Sequence, residues 1–216
     1  MDTLSRSDLD ALFEQLRDTY ARNRSYLIEL DGKVGDSDLG ITMTKGFAAA
    51  CDSVRANAAE PIGKTIQLAG MAMAKAAPST MGTLMATGLM RGGKALADCP
   101  HIGTAEMAAF WAAFHQGVVE RGKARPGEKT LVDVLGPVQA SLDTAARAGL
   151  PLRQALEHAT EAAAAGLEST KDMVAQHGKA ACFQDKSLGL QDAGATAGFL
   201  MVETMRAFVA REQANI

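Results

Sequence analysis

An all-α fold, with eight helices in one antiparallel bundle, is what this chain predicts, and three observations predict it. Apolar residues recur at helical spacing in one stretch after another. No stretch alternates convincingly in the manner of a strand. Glycine- and proline-bearing breaks separate the periodic stretches. The 216 residues, 47% of them hydrophobic, suffice for one sizeable core, so residues 1–216 are expected to form a single domain.

Leu9, Leu12, Phe13, Leu16 and Tyr20 follow a capping residue, Ser7, and the pattern continues through Tyr26, Leu27 and Leu30 to end the first helix at Asp31. The second starts near Ser37 or Asp38 and passes Met43, Phe47 and Val54 to about Asn57. After Glu60-Pro61 the third runs from Ile62 to Ala77, where Pro78 stops it. Ser79-Thr80-Met81-Gly82-Thr83 opens the fourth, which extends to Ala97. Within it Gly88 to Ala95 almost spells a P-loop, but Ala95 replaces the hydroxyl residue and no strand precedes it, so that reading is discarded. The fifth spans Thr104–Glu120, with Phe110, Trp111 and Phe114 near one face as core. The connection Arg121 to Thr130 is basic and glycine-bearing, a solvated loop that can also face phosphates. Leu131–Ala148 is the sixth helix and Leu152 to about Val174 the seventh, separated by Gly149-Leu150-Pro151. Gln176 to Asp192 has no sustained period, and its length suggests a functional loop. Gln191-Asp192-Ala193-Gly194 leads into the eighth helix, which carries Phe199, Leu200, Val202, Met205 and Phe208.

Composition excludes several functions. The net charge of −3 and 5% aromatic content offer little to a nucleic acid. The longest mostly apolar stretch without charges, between Lys75 and Arg91, is too short and too broken to span a bilayer. Three widely separated cysteines suggest neither a disulfide framework nor a zinc site and fit a reducing cytoplasm, and the first residues do not resemble a signal peptide. The four histidines have no catalytic pattern beside them.

Between the first two helices, Asp31, Asp36 and Asp38 lie close together among Gly32, Gly35 and Gly40. Carboxylates this crowded repel one another unless a cation sits among them, and hard oxygen ligands suit Mg²⁺, which completes its shell with water and phosphate oxygens. A calcium loop fails, because Ile41 and Phe47 stand where it needs Gly and Glu. An ordinary interhelical turn uses the same residue types, so spacing alone leaves turn and metal–phosphate site both open. The turns that begin the second, fourth and eighth helices are expected to meet at one end of the bundle, because alternate helices start at the same end.

With these motifs in order, the chain resembles the nucleotide-binding L subunit of bacterial dihydroxyacetone kinases over nearly its whole length. The most specific part is Leu30-Asp31 through Gly35-Asp36-Ser37-Asp38-Leu39-Gly40, supported by Ser79 to Thr83, Pro126 to Leu135, Ser187-Leu188-Gly189 and Gln191 to Ala195. The resemblance implies an eight-helix antiparallel barrel with ADP or ATP at one end, its phosphates joined through two Mg²⁺ to Asp31, Asp36 and Asp38. It implies nucleotide contacts at Leu39, Gly40, Ile41, Thr42, Ser79, Thr80, Gly122, Leu131, Lys179, Asp192, Ala193 and Gly194. It also implies a partner, a K subunit that holds the ketose, without which this chain is half an enzyme. One branch of the family keeps ADP as a cofactor rephosphorylated by a phosphocarrier subunit; the other uses exchangeable ATP. Leu39 stands where the carrier-linked pattern has histidine and Lys179 where arginine is usual, so the expectation leans toward ATP. A non-enzymatic nucleotide-sensing module is the competing reading.

Overall fold

A computed structural model describes residues 2–211. The helices are α1 (Arg6–Arg22), α2 (Arg24–Gly32), α3 (Leu39–Ala56), α4 (Ile62–Ala76), α5 (Thr80–Ala95), α6 (Thr104–Gly122), α7 (Val132–Arg147), α8 (Leu152–Ser169) and α9 (Ala193–Arg211). Among the described residues the only β pairing is the isolated bridge Leu4–Ile102, so the fold is all-α, as expected. From α3 onward each helix packs on the next, and α1 closes the ring by packing on both α9 and α3. Eight helices therefore make the barrel. The ninth, α2, packs on α3 and α9 at the end of the barrel where Asp31 lies.

The expected first helix is in fact two. Asn23 leaves helical geometry (ψ 6°), and its side-chain amide donates to the Thr19 carbonyl at 2.8 Å, ending α1. The apolar period runs on because α2 buries Leu27 and Leu30 of its own. The N-cap is Ser5, not Ser7: its amide donates to Asp8 Oδ2 at 2.7 Å, the reciprocal half of a capping box. The seventh predicted helix also stops early, at Ser169, followed by one 3₁₀ turn over Thr170–Asp172. There the Thr170 carbonyl accepts a hydrogen bond from Lys129 Nζ, so a side chain terminates the ladder. The aperiodic segment holds a 3₁₀ stretch, Lys179–Ser187, interrupted at Gln184 by a positive φ.

The ring encloses a continuous apolar core. Trp111, Tyr20, Phe47 and Phe114 are its largest fully buried side chains. Tyr20 stacks on Phe47 at 4.2 Å and donates its hydroxyl proton to the Ala197 carbonyl at 2.8 Å, fixing α1 against α3 and α9 at the seam. No helix of the described residues is long and apolar enough to cross a membrane. Cys51, Cys99 and Cys182 are free thiols.

Candidate functional site

One end of the barrel carries the starts of α3, α5, α7 and α9 and the ends of α2 and α6, and a cleft of about 420 Å³ lies between them. Helix starts leave amides unpaired and carry partial positive charge, so four of them around one cleft favour an anion. The starts of the second, fourth and eighth predicted helices meet as expected, and the start of α7 joins them.

The acids form one wall. Asp31, Asp36 and Asp38 each present an oxygen, and these atoms lie within 4.8 Å of one another. Asp31 sits on the last turn of α2, and its Oδ2 accepts the amides of Asp38 (3.0 Å) and Leu39 (3.3 Å), capping α3 from outside the helix. Gly35 makes this approach possible, because a Cβ there would collide with the Asp31 carboxylate. Ser37 adopts a left-handed φ of 62°, which turns the chain between the other two acids. Lys179 donates to Asp36 Oδ2 and holds the Asp36 carboxyl below the usual carboxylate range. Asp38 is pushed the other way, first by burial and then by the charges of Asp36 and Asp31. A divalent cation is the species that relieves this repulsion, and the all-oxygen donor set fits Mg²⁺.

Opposite the acids, Ser79 caps α5: its Oγ accepts the Gly82 amide at 3.1 Å and the Thr42 hydroxyl at 3.3 Å. With its lone pairs so used, its own proton is left to donate. Thr80 and Met81 line the cleft beside it, and Leu84, Val118, Gly122, Ala124 and Leu131 supply an apolar wall. Asp192, Ala193 and Gly194 form the start of α9, where Asp192 Oδ2 accepts the Ala195 amide at 2.6 Å. Desolvation in the floor of the cleft pushes the Asp192 carboxyl up to about 6.

Of the expected contacts, Leu39, Ser79, Thr80, Gly122, Leu131, Lys179, Asp192, Ala193 and Gly194 line the cleft together with the three acids. Gly40, Ile41 and Thr42 are not among the lining residues. Gly40 packs on the Arg24 carbonyl, which a Cβ would strike, and Thr42 stands behind Ser79. Sequence reasoning missed Lys129 and His177, both of which line the cleft. The stretch around Lys129 reads as a solvated loop that can also face phosphates, yet Lys129 itself is only 3% exposed and burial lowers its pKa. A basic residue in the turn that leads into a helix start was the signal available. His177 Nε2 pairs with Glu128 Oε2 at 2.6 Å, which ties the aperiodic segment to the same turn.

Fold and site together define a helical barrel with an acid-and-amide cleft at one end. The DAK2 domain family matches residues 33–207, and the chain belongs to it. It is 32% identical over 97% of its length to the whole of the ADP-binding subunit of the PEP-dependent dihydroxyacetone kinase of Escherichia coli. It is 30% identical over 91% of its length to the L-erythrulose kinase of Pectobacterium atrosepticum, where it spans 34% of that longer protein. The crystal structure of the dihydroxyacetone kinase from C. freundii in complex with AMP-PNP and Mg²⁺ is 23% identical over 92% of this chain and 33% of that one, with a TM-score of 0.68. At that identity the likeness establishes the fold.

Proposed function

We propose that the chain is the nucleotide-binding, phosphoryl-transferring subunit of a two-part kinase acting on a short-chain ketose such as dihydroxyacetone, with a separate K subunit holding the ketose. One observation carries the reading: three carboxylate oxygens within 4.8 Å of one another stand where the starts of four helices converge. Asp31, Asp36 and Asp38 would hold Mg²⁺, two ions in this reading, and bound Mg²⁺ supplies charge neutralisation for the phosphates. The chain's own residues do the rest. Amides at the starts of α5 and α9 and the Ser79 proton orient phosphate oxygens, while the first α3 amides are held by Asp31. Leu84, Val118 and Leu131 offer an apolar slot for the base. Lys179 adds a mobile-length cation at the acid wall. No general base on this chain is needed, because positioning and electrostatics dominate phosphoryl transfer.

The relatives favour ADP as the resident nucleotide and PEP as the ultimate donor, through a phosphocarrier partner, since the subunit that matches from end to end is named for both. This weighs against the expectation of exchangeable ATP drawn from Leu39 and Lys179. Free thiols at all three cysteines accord with a cytoplasmic place.

Calorimetric titration with Mg²⁺ and ADP tests the core of the reading. The wild type should bind and Asp36→Asn should not, at unchanged helicity; equal affinity in the two would leave the acids as an ordinary turn. A mass measurement of freshly purified native protein before and after dialysis decides the donor. Retained ADP with PEP-dependent turnover supports the carrier-linked form, whereas rapid ADP loss with ATP-driven turnover supports the other.

A further inference from the structure

We propose that Lys129 is a positioning residue for the cleft, its ammonium clamping both ends of the segment 171–189 so that His177, Gly178 and Lys179 meet the acid wall in a fixed place. The side chain is buried, and Nζ donates to the carbonyls of Thr170 and Leu190, which flank that segment on either side. A buried ammonium is costly unless hydrogen-bonded, and so is the buried Thr170 carbonyl, beside the part-buried carbonyl of Leu190. Here each satisfies the other. The Asp192 carboxylate nearby adds an attractive charge and belongs to the start of α9. A single side chain thus joins the end of α8, the entry to α9 and the segment between them.

The clamp is itself anchored. Lys129 adopts a left-handed φ of 60°, a conformation that an ordinary residue keeps only when its surroundings enforce it. The enforcement comes from Asp133 in the first turn of α7, whose oxygens accept the amides of Gly127 (2.6 Å) and Thr130 (2.7 Å) on either side of Lys129. The segment is therefore held in register against the start of α7, one of the helix starts that face the cleft. Its other ties are a local one, Ser187 Oγ accepting the Ala175 amide at 2.9 Å, one backbone bond from the Gln176 amide to the Glu128 carbonyl at 3.2 Å, and two solvent-accessible ion pairs, His177–Glu128 and Lys179–Asp36, which contribute little by comparison.

Lys129→Met keeps the volume of the side chain and removes its donors, whereas Leu142→Ala opens the buried core in α7 without touching the segment and serves as a control for general destabilisation. Amide hydrogen exchange of the full, nucleotide-free chain should show segment 171–189 exchanging about tenfold faster or more in Lys129→Met, with the barrel helices no faster than in the control. Exchange that is unchanged, or faster evenly across the molecule, would mean that Lys129 only fills space. Mg²⁺–ADP affinity should fall about tenfold in Lys129→Met and much less in Leu142→Ala. This second arm rests on the nucleotide reading and the first does not. A wild type that binds no nucleotide would therefore sink that reading and leave the clamp standing or falling on exchange. Should Lys129→Met fail to accumulate folded, Lys129→Leu, shorter and likewise without a donor, is read by the same two outcomes.

Discussion

Asp192 shows how one residue couples the cleft to pH. Its carboxyl lies at about 6 in the folded chain against 3.8 for the ordinary group, because of desolvation. An acid with a raised folded value stabilises the fold while protonated. That contribution is complete below the unfolded value and is lost as pH rises through about 6. Asp192→Asn should therefore gain stability relative to the wild type between pH 5 and pH 7, by about 1 kcal/mol, the rest of the roughly 3 kcal/mol having been lost already between pH 3.8 and pH 5. Thermal midpoints at the two pH values check this, and a difference that shrinks with rising pH would contradict it. At the opposite wall, a Cβ at Gly82 in the first turn of α5 would run into the Ala77 carbonyl at the end of α4. Gly82→Ala should cost about 1–3 kcal/mol and lower the melting temperature by several degrees. The three acids and these glycines were legible because their spacing is unusual. Lys129 was not, because a basic, glycine-bearing stretch has the composition of a solvated loop whether or not one of its lysines turns inward.

At the scale of elements, α2 has the most leverage, since it brings Asp31 to the amides of α3. Its direction depends on the break at Asn23, where the side chain holds the Thr19 carbonyl. Asn23→Ala should cost about 1 kcal/mol and also weaken Mg²⁺–ADP binding, because the α1–α2 angle loosens. Denaturation and calorimetric titration would check this, and lowered stability with unchanged binding would detach α2 from the site. The sequence disclosed the other helices through their period and their Gly and Pro breaks, with α3, α4, α5 and α6 starting where expected. It concealed the Asn23 break, because buried Leu27 and Leu30 continue the apolar rhythm of α1 across a change of direction. It concealed the early end of α8 for a different reason: a lysine distant in sequence takes the Thr170 carbonyl, and no local pattern records a contact of that range.

Taken whole, the described molecule is a closed ring with the cleft at one rim, and nothing in the proposed reading has this chain hold a ketose. Incubated alone with Mg²⁺, ATP and dihydroxyacetone, it should show no appreciable turnover, and a matching K subunit should restore activity; steady turnover by the isolated chain would overturn the half-enzyme reading. The seam between α1 and α9 has a further consequence. Arg6 reaches the carbonyls of Val54 and Asn57 at the far end of α3, and α9 runs away from the cleft to Arg211, so the outer ends of both seam helices lie at the rim opposite the chemistry. The two rims are separated by the length of an 18-residue helix, about 27 Å. Any polypeptide tethered at Arg6 or Arg211 leaves the cleft rim unobstructed, and needs about eight extended residues of slack before it can reach around to that rim.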